Sequence, residues 1–214
     1  MNRGGIMGGL NTLMEWITRL AYVNLLWVLL TIAGLVVFGL FPATAAMFAV
    51  VRKWTMKELD IPVFQTFWRE FRAEFLKSNG MGLILAAMAY VFYVDFQFFS
   101  SLDGVVSMLL LSASGSLFLV YLITSLFVFP VLAHYKLRLL QYFKQAFLIG
   151  ISSPVGVISI IAAAVIIYFL TIQFPALLLF FSGSSLAYIT MGFAMRTIRM
   201  MEEKKNLNMD RVEE

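Results

Sequence analysis

The chain has 214 residues, no cysteine, 61% hydrophobic and 13% charged side chains, and a mean hydropathy of +0.89. Soluble domains average roughly 45–50% apolar and 25% charged residues, so this composition excludes an ordinary soluble fold, and the missing cysteines exclude disulfides, cysteine-ligated zinc and thiol catalysis. The net charge is +4 and the pI near 9.4, but the basic residues border apolar runs of membrane-crossing length, which points to topology and anionic headgroups rather than to nucleic acid.

The 16 Lys and Arg residues fall into four blocks. These are Arg3 and Arg19, then Arg52 through Lys77, then Lys136, Arg138 and Lys144, and finally Arg196 through Arg211. The connections between them carry only Asp95, Asp103 and uncharged residues. Because loops retained in the cytoplasm keep Lys and Arg, this partition is expected to place both chain ends on the cytoplasmic side of a cell membrane. The expected fold is all-α, a polytopic transmembrane bundle of six membrane helices plus one interfacial amphipathic helix, forming a single membrane domain.

In chain order, residues 1–19 begin Gly-rich and continue as an interfacial helix with Leu10, Leu13, Met14 and Ile17 on one face and a Glu15–Arg19 pair at favourable spacing. The segment is too long and lacks the small-residue pattern of a cleavable signal peptide. Residues 20–57 are read as a helical hairpin turning at Gly39–Pro42, since an unbroken apolar helix to Val51 would be about 48 Å long and Pro42 favours a helix start. A single kinked span is the alternative, but it would strand Arg3 and Arg19 outside. Residues 62–78 alternate at helical spacing, with Phe64, Phe67, Trp68, Phe71 and Phe75 opposite Gln65, Arg69, Glu70, Arg72, Glu74 and Lys77. This stripe is read as an anchor lying flat in the headgroup layer.

Residues 81–195 hold the remaining spans. Met81 to Phe99 leads to a short acidic turn, Ser100–Gly104, on the far face. A long helix follows, with Ser107, Ser112, Ser114, Gly115 and Ser116 suited to close packing and Pro130 expected to kink or interrupt it. Gln141–Ile151 reads as a shorter interfacial segment. Val155–Ile172 and Leu177–Met195 are the last spans, joined at Gln173–Ala176, and residues 196–214 form a cytoplasmic tail whose end is expected to lack fixed structure. Phe41-Pro42, Phe129-Pro130 and Phe174-Pro175 hint at a degenerate internal repeat.

Little in this chain can carry chemistry. The one histidine, His134, lacks companions at metal-ligand spacing and reads as a hydrogen-bonding residue, and no catalytic or phosphate-binding motif is present. No catalytic, metal or cofactor site is expected. Asp95, with Gln97 and four flanking aromatics, is the best intramembrane ionisable candidate and would suit a small polar ligand such as a sugar. The favoured reading is a simple position at the external interface. Asn24 and Trp27 are further candidate ligand or partner contacts. Asn24, Thr31, Thr124, Ser125 and Gln173 are expected to bond between helices.

Arg19-Leu20, Asn24-Leu25-Leu26-Trp27, Gly39, Pro42-Ala43-Thr44-Ala45, Val51-Arg52-Lys53-Trp54, Phe67-Trp68-Arg69 and Phe75 through Lys77-Ser78-Asn79 resemble the YesL-like family of bacterial membrane proteins. The resemblance is confined to the first eighty residues; the later spans share only general character. It implies a place near carbohydrate import, since such proteins are often encoded beside systems that take up and degrade plant polysaccharides. It carries no catalytic or binding residues. The expectation is therefore a non-catalytic accessory protein assembling with ABC-type sugar permease subunits or a membrane sensor. The alternative is a small solute channel or facilitator with Asp95 and Gln97 near its mouth.

Overall fold

A chain this apolar has to close its backbone hydrogen bonds internally, and helices do so one segment at a time. The computed structural model describes residues 6–213, so Arg3 and the first glycines lie outside the described residues. The elements are α1 (Ile6–Ala33), α2 (Val37–Thr55), α3 (Val63–Ala73), α4 (Phe75–Ser100), α5 (Val105–His134), α6 (Leu139–Ser152), α7 (Pro154–Gln173), a π-helical turn (Leu178–Ser182) and α8 (Gly183–Glu213). Among the described residues, six segments are long and apolar enough to cross a membrane: α1, α2, α4, α5, α7, and the π-turn together with α8.

α2 is the axis of the bundle, packed by α1, α3, α4, α5 and α8. Its small and β-branched side chains allow that approach: Ala43, Ala46, Val50 and Val51 are completely buried. Phe41 and Phe48 of α2 stack on Phe129 of α5, with centroids 6.4 Å and 6.3 Å apart. Two of the Phe-Pro pairs thus meet at one helix crossing, and both prolines lie inside continuous helices.

The hairpin between α1 and α2 exists, but it turns at Gly34–Val36 and not at Pro42. A Cβ on Gly34 would strike the Gly39 Cα, and one on Gly39 would strike the Thr31 carbonyl, so the chain crosses itself backbone to backbone at that point. Val36 sits at φ 62°, ψ −62°, and the Val37 N–H donates to the Leu35 carbonyl at 2.7 Å, which makes a γ-turn. Pro42 is tolerated inside α2 because its missing donor is replaced. The Phe38 carbonyl, which residue 42 would ordinarily serve, accepts from Asn79 Nδ2 of α4 at 3.1 Å.

The N-terminal helix leads into the first span as one unbroken α1, which keeps the Glu15–Arg19 pair at 3.9 Å. Two other expectations change. Pro130 does not interrupt α5, which continues to His134. The chain end, expected to be irregular, continues α8 to Glu213.

Outside the core, the outer halves of α4 and α5 form a two-helix arm. The buried residues of α4 end at Leu85. Beyond it, Phe92, Phe96, Phe118 and Tyr121 interlock in edge-on, tilted and stacked pairs, with centroids 5.4–5.9 Å apart. Ser107 closes the arm, donating to the Phe99 carbonyl at 2.7 Å.

Candidate functional site

Asn24 is completely buried and holds the π-helical turn in place. Its Nδ2 donates to the Leu179 carbonyl at 2.7 Å and the Leu178 carbonyl at 3.1 Å. Its Oδ1 accepts the Ser184 N–H at 2.9 Å. A π-turn shifts the helical hydrogen-bond register, and the side-chain amide is inserted where that register fails. Trp27, one turn along α1, donates from Nε1 to Thr44 Oγ1 at 3.0 Å, and Thr44 in turn donates to the Leu40 carbonyl at 2.7 Å. Gly183 lies against both residues: a Cβ there would meet Asn24 Oδ1 at 3.0 Å and the Trp27 ring at 3.4 Å. Asn24 and Trp27 thus form one polar knot linking α1, α2 and α8. Of the five residues expected to bond between helices, Asn24 alone does so among the described residues; Gln173 is exposed at the end of α7. Thr124 and Ser125 donate to carbonyls of their own helix, at Val120 and Leu122, and the buried Thr31 hydroxyl has no partner. A hydroxyl three or four residues from a free lone pair on its own helix satisfies itself first.

The other candidate pair is separate. Asp95 and Gln97 sit near the end of α4 on the arm, Asp95 half-buried and Gln97 exposed with its Nε2 donating to Tyr93 Oη at 2.7 Å. The five aromatics of residues 62–78 are divided as well. Phe67 and Phe71 are buried against the bundle, Phe64 and Trp68 remain 52% and 41% exposed, and Phe75 begins α4. α3 therefore spends half of its stripe on protein packing against α2, leaving only two aromatic rings free for lipid.

A further locus lies at the basic end of the bundle, around Trp16, a residue whose type already suits a membrane–water interface. Trp16 packs edge-on against Trp54 at 6.0 Å and Tyr188 at 5.0 Å, and the Arg19 guanidinium lies over the Trp16 ring at 5.7 Å. Indole and phenol rings with an arginine at one level are the mark of a membrane–water interface. Beside them Thr55, Tyr188, Met195, Arg196, Arg199 and Glu203 line an open groove of about 430 Å³. Burial pushes the Tyr135 phenol up, reinforced by the charge and hydrogen bond of nearby Glu202. Tyr142, completely buried, accepts the Leu137 N–H at 2.9 Å and donates to the Tyr135 carbonyl at 3.2 Å, fastening the link between α5 and α6. The spacing of Trp16, Trp54 and Tyr188 in sequence gives no periodic signal, so their meeting is not legible from the pattern.

The residues that knot α1 to α2 and α8 belong to a segment shared with known proteins. A family described as "Protein of unknown function, DUF624" matches residues 20–96, which covers the α1–α2 hairpin, α3 and most of α4. Over nearly the full chain, the sequence is 37% identical to uncharacterized protein YesL of Bacillus subtilis (strain 168), covering 94% of each. The chain belongs to the YesL-like family. YteU and YesV of the same organism are each 34% identical, over 95% and 88% of this chain and 91% and 90% of their own lengths. No solved structure matches significantly. The YesL-like resemblance read from the first eighty residues thus extends across the whole bundle.

Proposed function

We propose that this chain is a non-catalytic accessory protein of the bacterial cell membrane, with both ends in the cytoplasm, that assembles with a carbohydrate uptake system. The observation that carries this reading is the distribution of packing. The bundle axis is filled by α2, whose Ala43, Ala46, Val50 and Val51 expose nothing, whereas the α4–α5 arm leaves Leu83, Tyr90, Val106, Met108 and Leu117 each more than 60% exposed. A solid core favours a scaffold over a conduit, and the arm offers length for helix-to-helix contact with another membrane subunit. The carbohydrate assignment rests on the family resemblance, and ABC-type sugar permease subunits are the partners it names. Lys53, Lys57, Arg196 and Arg199 share the end that carries the Trp16–Trp54 girdle, which supports a cytoplasmic position for that end.

The test is photocrosslinking from Leu117 and Val106 on the arm in native membranes of cells grown on plant oligosaccharide. Permease subunits in the adducts are the expected result; adducts to lipid alone, under growth that induces uptake, refute the assembly. Sugar flux into proteoliposomes containing only this chain, abolished by Asp95→Asn, would instead establish a facilitator.

A further inference from the structure

The turn joining α1 to α2 differs in kind from the turn joining α4 to α5. Ser100, Ser101, Asp103 and Gly104 form the latter, a composition that belongs in water. At the α1–α2 tip, Leu35, Val36, Val37 and Phe38 are 78%, 54%, 67% and 58% exposed with no polar side chain among them. Most of the backbone donors are bonded as well. Gly34, Leu35, Val36, Val37 and Leu40 donate to carbonyls within the turn, to Leu30, Ile32, Thr31, Leu35 and Val36 respectively, at 2.7–3.0 Å. A turn that accepts positive φ at both Leu35 and Val36 (59° and 62°) retains a strained conformation that glycine would relieve. In return the N–H groups of Gly34 through Val37 stay bonded through the reversal itself, the condition that hydrocarbon imposes and water does not.

Length gives the same answer independently. From Arg52 to Val36 the helix is about 24 Å long, so the tip reaches at most that far from the basic boundary, against a hydrocarbon core about 30 Å thick. The bond from Asn79 Nδ2 to the Phe38 carbonyl at 3.1 Å sets the tip beside the first turns of α4, two residues past Lys77. From Asn79, α4 continues about 32 Å before its polar turn at Ser100.

We infer that α1 and α2 form a re-entrant hairpin whose tip, Leu35–Phe38, ends among lipid acyl chains within the bilayer. The four segments α4, α5, α7 and the π-turn with α8 cross completely, so both chain ends still share one side. The hairpin is a lipid-contacting wedge on the basic-side leaflet.

The absence of native cysteine makes the test direct. Val37→Cys and Leu35→Cys are compared in membranes with Ser101→Cys on the polar turn and Lys57→Cys at the basic end. With a membrane-impermeant maleimide on intact cells, Ser101→Cys labels. Lys57→Cys labels once the membrane is permeabilised. The two tip variants label at least about tenfold more slowly than either under both conditions, because hydrocarbon suppresses the reactive thiolate, yet label fully in denaturing detergent. A spin label at Val37→Cys then distinguishes lipid from protein cover: collisions with oxygen frequent and with a polar nickel complex rare place it in lipid. Labelling of the tip from outside at the Ser101→Cys rate overturns the inference, as does a spin label shielded from both relaxants, which would mean that protein covers the tip.

Discussion

Replacing Asn24 with leucine is the sharpest probe of how this bundle is held together. Three hydrogen bonds disappear with the amide, but their loss is unequal. The Leu178 carbonyl keeps the Ser182 hydroxyl at 2.8 Å, so the penalty falls mainly on the Leu179 carbonyl and the Ser184 N–H. Hydrogen bonds between membrane helices average about 0.6 kcal/mol and reach about 1.7, and a buried group left unpaired costs about 1–3. At about 1–2 kcal/mol for each of the two groups, Asn24→Leu is expected to lose about 2–4 kcal/mol. Unfolding in mixed micelles at rising dodecyl sulfate, followed by helical ellipticity and by fluorescence, reads this directly, since Trp27 lies beside the knot. If Asn24→Leu stays within about 0.5 kcal/mol of the parent, the ordinary range of a surface substitution, the π-turn does not depend on the amide and the account of the knot is wrong.

Further outcomes follow from the same geometry. Asn79→Leu should cost about 1–2 kcal/mol by leaving the Phe38 carbonyl unpaired; in a Pro42→Ala background the restored backbone N–H serves that carbonyl, and most of the cost should vanish in a double-mutant cycle measured by the same unfolding assay. Gly34→Ala should prevent the α1–α2 crossing, because its Cβ meets the Gly39 backbone, whereas Gly115→Ala meets nothing within 4 Å; the first should abolish recovery of folded protein by size-exclusion chromatography and the second leave it unchanged. Tyr142→Phe removes the acceptor for the Leu137 N–H and the donor to the Tyr135 carbonyl, and should lower stability by about 1–2 kcal/mol, with faster amide exchange at Leu137 as the local sign.

Much of the fold is legible in the sequence because lipid enforces a simple rule: apolar length reads as a membrane helix, and Lys and Arg mark the helix ends. Hence the six apolar segments, the amphipathic α3 and the short turns at Ser100 and Gln173 can be read from residue order. The turn between α1 and α2 cannot, since Gly34, Gly39 and Pro42 are all plausible reversal points taken alone. What selects Gly34–Val36 is the close crossing of two backbones, together with an amide from α4 that lets Pro42 remain inside a helix. The same holds for the candidate residues. Asn24 is conspicuous as a polar group in an apolar span, but its partners lie on the π-turn, more than 150 positions away, and no local pattern encodes them. Asp95 and Gln97 also stand out as polar, yet the arm keeps them apart from the Asn24 knot. Hydrophobicity and charge are sums over neighbouring residues and survive without a fold, whereas hydrogen-bond pairing and backbone contact depend on which segments meet in space, and that is decided only when the bundle closes around α2.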